Sequence, residues 1–459
     1  MNSTCIPQIL VAAPASGSGK TAVTCALLTA LRRRGLAPCA FKCGPDYIDP
    51  MFHTRVLGVP SRNLDLFLQG EPGARRSLAA AARRGADVAV LEGAMGYYDG
   101  IAGTDAASAW QTARALGAPT VLVLRPEGAS LTLAAQVQGL QRFRAPSHLR
   151  ALLLNGCKAS LFAHLKPLLE RETGLPVLGF LPRLPEAEIP SRHLGLLTAR
   201  EIEDFAARYA AVARALEENA DLDRLLMLAE PAPLESEPEA APAPARCTIA
   251  AARDEAFCFY YADSLDALRA AGAQIRFFSP LRDAALPPEA DGLYLGGGYP
   301  ELHAEALSRN EGMRRSIRQA VAAGLPTVAE CGGFLYLQER LTDDRGRVFP
   351  MAGALPGLGA PAGGLRRFGY ALLRAEADSL LFRAGEEVPA HEFHHWDSDA
   401  CGDGLSARKP GTDRAWRCAV VRESLYAGFP HLHFGGERPL AERFAAAAAN
   451  YGKERCAHV

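Results

Sequence analysis

The chain has 459 residues, a length that predicts more than one domain because single hydrophobic cores stop growing well below this size. Apolar residues make up 49% of it, enough for well-buried cores, and the formal net charge of −1 excludes a general electrostatic attraction to nucleic acid or anionic lipid. The first residues lack the basic segment of a signal peptide and no apolar run could span a bilayer, so neither nucleic acid nor membrane is expected as a partner.

The first half of the chain alternates short apolar runs with helical patterns. Runs this apolar suit strands buried on both faces of a parallel sheet, so a doubly wound α/β domain is predicted over residues 1–228. A long helical pattern from Thr198 to about Ala229 closes this domain. The predicted strands are QILVAAP (8–14), PCAFKCG (38–44), DVAVLEGA (87–94), PTVLVL (119–124), RALLLNG (150–156) and PVLGFLP (176–182).

The first predicted strand runs into V-A-A-P-A-S-G-S-G-K-T, which ends like a phosphate-binding loop. Gly17 and Gly19 let the backbone turn its N–H groups inward, Lys20 reaches the phosphates, and Thr21 offers its hydroxyl to Mg²⁺. Pro14 stands where the usual first glycine would be, and proline has no N–H to donate. The alternative is a solvated glycine turn. Its place between strand and helix favours a variant phosphate loop for ATP and Mg²⁺.

Carboxylates cluster at the ends of two predicted strands. Asp46 and Asp49 follow the second strand in K-C-G-P-D-Y-I-D-P, and Glu92 ends the third. Ligands of open α/β sheets bind at this edge, and Mg²⁺ prefers oxygen ligands. The alternative is capping and turn chemistry. Together with Lys42 and the phosphate loop, the cluster favours a metal site formed by Thr21, Asp46 and Glu92.

The middle of the chain holds AEPAPLESEPEAAPAPA (229–245), rich in Ala, Pro and Glu without an apolar period. Such segments stay extended, so a linker is predicted. A second α/β domain follows over 246–459, and the stretch 350–416 gives no clear prediction. Its predicted strands are CTIAAA (247–252), AQIRFFSP (273–280), DGLYLGGG (291–298), PTVAECGG (326–333) and CAVVRESLYAGF (418–429).

A cysteine in this second domain stands where a nucleophile is expected. Cys331 in V-A-E-C-G-G lies between a predicted strand and a helix, a sharp turn that exposes a side chain. A helix N-terminus and a nearby histidine are expected to lower the pKa of its thiol. Backbone N–H groups of Gly297 and Gly298 are candidates for an oxyanion hole. The alternative is a buried structural cysteine.

The base for such a nucleophile should be a histidine distant in sequence. FPHLHF offers His431 and His433, and HEFHHW offers His391, His394 and His395. HEFHH has the spacing of H-E-x-x-H but not the helical flanks of that motif, so a zinc protease is not predicted. The eleven cysteines show no C-x-x-C spacing either, which predicts reduced thiols, no zinc site and a cytoplasmic location.

Taken together, these motifs resemble the glutamine-dependent a,c-diamide synthases of corrin biosynthesis, the cobyrinic acid a,c-diamide synthase type. The resemblance runs in order over nearly the whole chain. It is carried by APASGSGKT, KCGPDYIDP, LEGAMGYYDG (91–100), IPSRHLGL (189–196), FSPLRDAALP (278–287), DGLYLGGGYPELHA (291–304), AECGGFLYL (329–337), HEFHHW (391–396) and HLHF (431–434).

The resemblance implies a dethiobiotin-synthetase-type domain followed by a class I glutamine amidotransferase domain. Glutamine would be hydrolysed at Cys331, and its ammonia would reach the first domain. There ATP would phosphorylate the c and then the a carboxylate of the macrocycle, and ammonia would displace phosphate. Carried over onto this chain, the residues implied are Lys20 and Thr21 for ATP and Mg²⁺, Asp46, Asp49 and Glu92 for metal or the acyl phosphate, and Lys42 and Tyr47 for substrate.

Two departures accompany the resemblance. Class I amidotransferases usually carry His-x-Glu at the base, whereas Leu432 and His433 follow His431, which leaves the Cys–His pair without a third member there. Phe429 and Pro430 also stand where less rigid residues are expected. His431 matches the base better than His433, and both stay open.

Three alternatives remain within these motifs. Relatives of this type act on cobyrinate, hydrogenobyrinate or nickel-sirohydrochlorin, and cobyrinate is the first choice. A P-loop nucleotide switch is the competing class, but partitioning ATPases of that class carry a lysine where this chain has Ala15. The expected partners are therefore the tetrapyrrole, glutamine and ATP, with a homodimer left open.

Overall fold

The computed structural model describes residues 4–187, 199–234 and 245–457. The stretch IPSRHLGL (189–196) and most of the predicted linker lie outside these residues. The chain divides into two compact units, Met1–Glu239 and Ala240–Val459. In the described part of the chain, no helix combines the length and the apolar character that crossing a bilayer requires.

Unit 1 is built on a parallel sheet with the strand order β3-β2-β4-β1-β5-β6-β7. Its helices are α1 (Lys20–Arg33), α2 (Ile48–Arg55), α3 (Gly70–Arg83), α4 (Ala109–Leu116), α5 (Leu131–Phe143), α6 (Ala159–Thr173), α7 (Ala199–Asn219) and α8 (Leu222–Leu228). Its strands are β1 (Thr4–Ala12), β2 (Pro38–Cys43), β3 (Ser61–Leu64), β4 (Val88–Glu92), β5 (Thr120–Leu124), β6 (Leu149–Asn155), β7 (Val177–Leu181) and β8 (Glu230–Leu234).

Both faces of this sheet are buried, as the unbroken apolar runs predict. Along β1, Leu10 packs into one hydrophobic core while its neighbours Ile9 and Val11 pack into the other. Successive side chains of a strand point to opposite faces, so one strand serves two cores. The predicted doubly wound α/β architecture is confirmed.

Three details differ from the sequence-based expectation. β3 was not predicted, because SRNL holds a single apolar residue. The long helical pattern forms two helices, since Asp221 begins a new turn by accepting a hydrogen bond from the Arg224 N–H at 2.9 Å. The predicted linker begins too early, because residues 230–234 form β8 and pair antiparallel with β1.

Unit 2 contains a second, mostly parallel sheet with the order β11-β9-β12-β14-β22-β21. Its helices are α9 (Ala262–Ala270), α10 (Ala304–Arg309), α11 (Glu311–Ala322), α12 (Gly332–Leu337) and α13 (Leu440–Ala457). Its strands are β9 (Cys247–Ala252), β10 (Phe257–Phe259), β11 (Ala273–Phe278), β12 (Gly292–Leu295), β13 (Gly297–Gly298), β14 (Thr327–Glu330), β15 (Arg340–Thr342), β16 (Val348–Pro350), β17 (Leu358–Ala375), β18 (Glu387–Ser398), β19 (Leu405–Arg408), β20 (Ala415–Cys418), β21 (Val420–Arg422), β22 (Leu425–Gly428) and β23 (His431–Leu432).

The stretch 350–416, which gave no prediction, supplies most of a separate sheet. The long strands β17 and β18 pair antiparallel, and β18 then pairs with β23. The run 418–429, predicted as one strand, is a hairpin in which β21 turns back onto β22. Because β22 pairs with β14 and β23 with β18, residues 425–432 pass from one sheet to the other.

Candidate active sites

The phosphate loop connects β1 to α1 as its sequence predicts. Gly17 and Gly19 have φ values of 79° and 90°, a left-handed backbone that favours glycine. A Cβ on Gly19 would also collide with the side chain of Asn155, whose amide donates to the Ser18 carbonyl at 3.0 Å. Asn155 was not singled out from the sequence, although it ends a predicted strand at the ligand-binding edge. It braces the loop in the form that the glycines allow.

Lys20 opens α1 and lies buried over the loop, with 7% of its surface exposed. Its ammonium donates to the carbonyls of Ala15, at 3.3 Å, and of Met95. Burial and the nearby Lys42 lower the pKa of Lys20 to about 8. A phosphate oxygen would be a stronger partner than these neutral carbonyls, because hydrogen bonds between charged groups are the stronger ones.

Behind the loop, a buried ionic cluster joins three elements. Glu92 accepts hydrogen bonds at one carboxylate oxygen from the hydroxyl of Thr21 at 2.5 Å and from Lys42 at 2.8 Å. Lys42 also pairs with Asp49 at 2.5 Å. Although burial works against its charge, Glu92 and Asp49 hold the pKa of Lys42 well above its usual range. Lys42 therefore neutralises carboxylates of the chain itself in this ligand-free structure.

Asp46 and Tyr47 lie at the start of α2. The Asp46 carboxylate accepts from the Ile48 N–H at 2.8 Å, so the capping role considered above is real. Burial and the charge of Asp49 raise the pKa of Asp46 to about 6, whereas Lys42 lowers that of Asp49 against the effect of burial. Tyr47 is buried beside them. The pKa values of these two neighbouring carboxyls are therefore shifted in opposite directions.

His53 completes this cluster and was missed from the sequence. It is fully buried on α2, its Nδ1 lies 3.1 Å from the Ser61 hydroxyl, and its Nε2 lies 3.7 Å from the second carboxylate oxygen of Glu92. Burial lowers the pKa of His53 to about 4, and burial raises that of Glu92 to about 7. Its position four residues after Asp49 on a helix was the available signal.

The residues predicted to hold Mg²⁺ suit that ion in part. Thr21 and Glu92 touch, and the second oxygen of Glu92 is buried without a hydrogen-bond partner among the described residues. Asp46 joins them only through Asp49 and Lys42. No group of three or more His, Cys, Asp or Glu side chains forms a ready metal cage within 4–187, 199–234 and 245–457. Mg²⁺ is usually held by one or two carboxylates with substrate phosphates, which this pair fits.

In unit 2, Cys331 occupies the turn between β14 and α12. Its backbone has φ 49° and ψ −103°, a strained conformation for a residue with a side chain. A Cβ on Gly333 would lie 2.1 Å from the Leu295 carbonyl oxygen, so only glycine lets α12 pack this closely on the sheet. The Cys331 N–H donates to the Gly428 carbonyl at 2.8 Å. The sequence predicted this sharp strand-to-helix turn.

The two glycines predicted for the oxyanion hole lie beside this turn. A Cβ on Gly297 would come within 2.6 Å of the His431 ring, and one on Gly332 within 3.0 Å of the Gly298 backbone nitrogen. The structure thus brings Gly298 next to Gly332, the residue that follows Cys331, and His431 next to Gly297. Backbone N–H groups at this place are suited to bind a developing oxyanion.

A carboxylate from a different strand lies near His431. Glu330, next to Cys331 in sequence, places an oxygen 3.7 Å from Nδ1 of His431. Glu330 is itself fixed by the Leu432 N–H at 2.9 Å and by the Tyr294 hydroxyl at 3.1 Å. No carboxylate follows His431 in the sequence, as noted above, and Glu330 is the candidate third member that the structure places near it. Its position in A-E-C-G-G was the only signal, because the contact is tertiary.

His433, the alternative base, has different neighbours from those of His431. Its Nδ1 accepts from the Gly435 N–H at 3.2 Å, and its ring packs against Tyr261 with centroids 4.9 Å apart. Burial lowers the pKa of His433 to about 4. His391, by contrast, pairs directly with His431 in the β18–β23 ladder.

The resting state of the Cys331 thiol differs from the expectation. Burial, followed by the charge of Glu301, raises the pKa of Cys331 well above its usual range. The predicted lowering of the Cys331 pKa by a helix N-terminus and a histidine is therefore not found. Cys331 is 7% exposed, and desolvation disfavours its anion. All eleven cysteines are free thiols, as predicted.

Comparison with protein-family models divides the chain in the same way. Residues 9–197 match the CobQ/CobB/MinD/ParA nucleotide binding domain, and residues 248–439 match the CobB/CobQ-like glutamine amidotransferase domain. Both predicted domain types are confirmed.

Three similar curated proteins are all called cobyrinate a,c-diamide synthase. The protein of Salmonella typhimurium is 39% identical over 96% of this chain and 97% of its own length. That of Listeria innocua is 37% identical over 93% of this chain and 96% of its own, and that of Clostridium tetani 36% identical over 94% and 97%.

Proposed function

The chain belongs to the cobyrinate a,c-diamide synthase family and is a glutamine-dependent amide-forming ligase, and from that premise we propose that it amidates the a and c carboxylates of cobyrinic acid at the cost of ATP. The synthetase part would be residues 1–228 and the amidotransferase part residues 246–459. The single observation that carries the proposal is the constellation around Cys331: a nucleophile in a strained turn, backed by His431 and Glu330.

In unit 2, we propose that His431 takes the proton of the Cys331 thiol as the sulfur attacks the carboxamide of glutamine. The N–H groups of Gly297 and Gly298 would bind the oxyanion of the tetrahedral intermediate. His431 then gives the proton to the departing nitrogen, which leaves as ammonia, and water hydrolyses the thioester to glutamate. Glu330 would hold His431 in the orientation for both transfers. His433 would not take part.

The raised pKa of Cys331 has a consequence for this mechanism. A thiol that stays protonated at rest is a weak nucleophile, so proton transfer to His431 must accompany the binding of glutamine. Cys331 would then be activated only while glutamine occupies the site. This fits an enzyme that must not release ammonia at random.

In unit 1, we propose that the phosphate loop holds ATP with Lys20 on its phosphates. Mg²⁺ bound by Thr21 and Glu92 would neutralise phosphate charge, with Asp46 and Asp49 near the acyl phosphate. The macrocycle carboxylate would attack the γ-phosphorus, with ADP as leaving group, and ammonia would displace phosphate to give the amide. A carboxylate is a poor electrophile, so phosphorylation supplies the leaving group.

Cobyrinate is the proposed macrocycle because three relatives that match along most of their length carry its name. Hydrogenobyrinate and nickel-sirohydrochlorin present similar carboxylates. Lys42 and Tyr47, both buried, would act on the substrate only if ATP opens the ionic cluster.

The test is mass spectrometry of cobyrinic acid incubated with the protein, ATP, Mg²⁺ and glutamine, with hydrogenobyrinic acid in parallel. A product carrying two amides from one macrocycle would support the reaction and identify the substrate. If neither macrocycle gives a product while ATP hydrolysis is intact, the proposal is contradicted and the alternative of a P-loop nucleotide switch is favoured.

A further inference from the structure

A buried charged cluster in the antiparallel sheet of unit 2 has no part in the chemistry above. Its centre is Glu392, whose surface is fully buried. The Glu392 carboxylate lies 3.0 Å from Nε2 of His394 and accepts from Arg367 at 3.1 Å and from the Trp416 indole at 3.1 Å. Three donors around one carboxylate fix its position, because a buried charge is tolerated only when it is fully paired.

Arg367 reaches this carboxylate through a distorted strand. The β17–β18 ladder shifts register on both sides of Arg366, and Arg367 has a left-handed φ of 46°. Such a backbone conformation is strained and persists only where the surroundings determine it. The bulge turns the guanidinium inward, where it also meets Asp397 at 2.5 Å. Bulges often re-aim a side chain in this way.

The cluster presents one flat surface to Phe429. The His394 ring stacks on Phe429 with centroids 3.9 Å apart and planes 12° apart, and the Arg367 guanidinium lies 5.5 Å from the same ring. Phe334, in the helix that follows Cys331, meets Phe429 edge-on at 5.3 Å. Phe429 therefore joins the charged cluster to the helix behind the nucleophile.

Phe429 lies two residues before the proposed base. On its two sides the backbone is already held: the Gly428 carbonyl accepts from the Cys331 N–H at 2.8 Å, and the Pro430 carbonyl accepts from the Tyr426 hydroxyl at 2.7 Å. The side-chain contacts of Phe429 add to these backbone bonds and to the pairing of His431 with His391. They fix the residue that lies between the Gly428 contact with Cys331 and the proposed base.

We propose that His394, held by Glu392, is a positioning residue for glutamine hydrolysis, because its ring fixes Phe429 and thereby the placement of His431 beside Cys331. This inference rests on the proposed function. It also accounts for the stiff Phe429–Pro430 pair: a rigid segment transmits the position of one ring to the next. A misplacement of about 1 Å in such a site can cost about 100-fold in rate.

The experiment compares two substitutions at one position. His394→Phe keeps a flat ring on Phe429 but removes the contact with Glu392, whereas His394→Ala removes both. His395→Ala is the matched control, since His395 is exposed on the same strand and packs on Phe393 instead. Each protein is assayed for glutaminase kcat and KM, for the pH profile of Cys331 alkylation by iodoacetamide, and for melting temperature.

We expect His394→Ala to lower glutaminase kcat about 10- to 100-fold with little change in KM, and to shift the alkylation profile. His394→Phe should retain most of kcat even though its melting temperature falls as far. Equal losses of kcat in both variants, in step with melting temperature, would show a merely structural cluster and overturn the inference.

Phe429→Leu covers the case in which His394→Ala does not fold. It removes the stacked ring without removing any buried hydrogen-bond partner, and it should reproduce the loss of kcat. Wild-type kcat in Phe429→Leu would overturn the inference. A wild-type protein without any glutaminase activity would instead contradict the proposed function, so the two failures are distinguishable.

Discussion

The two reactive centres differ in how charge surrounds the group that does the chemistry. In unit 1, Lys42, Asp49 and Glu92 form a compact ionic cluster behind a loop with open glycine backbone. In unit 2, Cys331 lies in a strained turn among buried apolar residues, burial raises the pKa of its thiol, and the proposed base His431 comes from another strand.

The difference indicates how each centre would respond to its substrate. The cluster of unit 1 is internally compensated, so a phosphate and a cation must replace contacts that the chain now makes with itself. In the centre of unit 2, backbone and side-chain contacts fix the residues around Cys331 and His431. Under the proposed function, electrostatic exchange would govern the first centre and preorganised geometry the second.

The largest effect should come from removing the nucleophile. Cys331→Ala is expected to abolish glutamine-dependent amidation, by about 1,000-fold or more, because no other thiol lies in the turn. Amidation from free ammonia should remain, since it needs only unit 1. Product is measured by mass spectrometry with each nitrogen donor, and Cys418→Ala serves as the control. Loss of amidation with both nitrogen donors would indicate a structural role for Cys331 and would remove the contrast between the two centres.

The next largest effect should fall on unit 1. Glu92→Gln removes the charge that Lys42 and Thr21 contact, and ammonia-dependent amidation should fall about 100-fold while glutaminase activity persists. Asp46→Asn should act in the same direction, about tenfold, because Asp46 also caps α2. Glu127→Gln, exposed on a neighbouring loop, is the control. Wild-type synthesis in either variant would remove that residue from the mechanism.

A smaller effect is expected from Glu330→Gln, which keeps the shape of the side chain but not its charge. Glutaminase kcat should fall about 10- to 100-fold with little change in KM, because His431 would lose the charged carboxylate that lies 3.7 Å from its Nδ1. Steady-state glutaminase assays measure both constants, with Glu339→Gln as control. An unchanged kcat would indicate that Cys331 and His431 act as a pair without Glu330.

The smallest signal should come from the resting thiol at neutral pH. Because burial raises the pKa of Cys331, the thiolate is scarce at pH 7 and its population grows about tenfold per pH unit as pH rises. Iodoacetamide should therefore alkylate Cys331 slowly at pH 7 and faster at each higher pH, as followed by peptide mass spectrometry. Rapid alkylation that levels off below pH 7 would instead indicate a preformed thiolate.

Local patterns carried most of what could be predicted about the fold. The apolar runs of unit 1 predicted its sheet because a strand that is buried on both faces has a nearly continuous apolar sequence, without alternating polar residues. The same logic could not find β3, a four-residue strand with one apolar side chain, nor the β17–β18 sheet, whose glycines and arginines reflect bulges and exposed edges.

The sequence by itself determined the phosphate loop, the cysteine turn and the order of the two domain types, because each of these depends on neighbours within a few residues. Only the tertiary structure decided that Glu330 lies near His431, that His53 lies behind Glu92 and that the Cys331 side chain is buried. Those facts depend on contacts between strands far apart in the chain and on burial, and neither has a signature in a local stretch of residues.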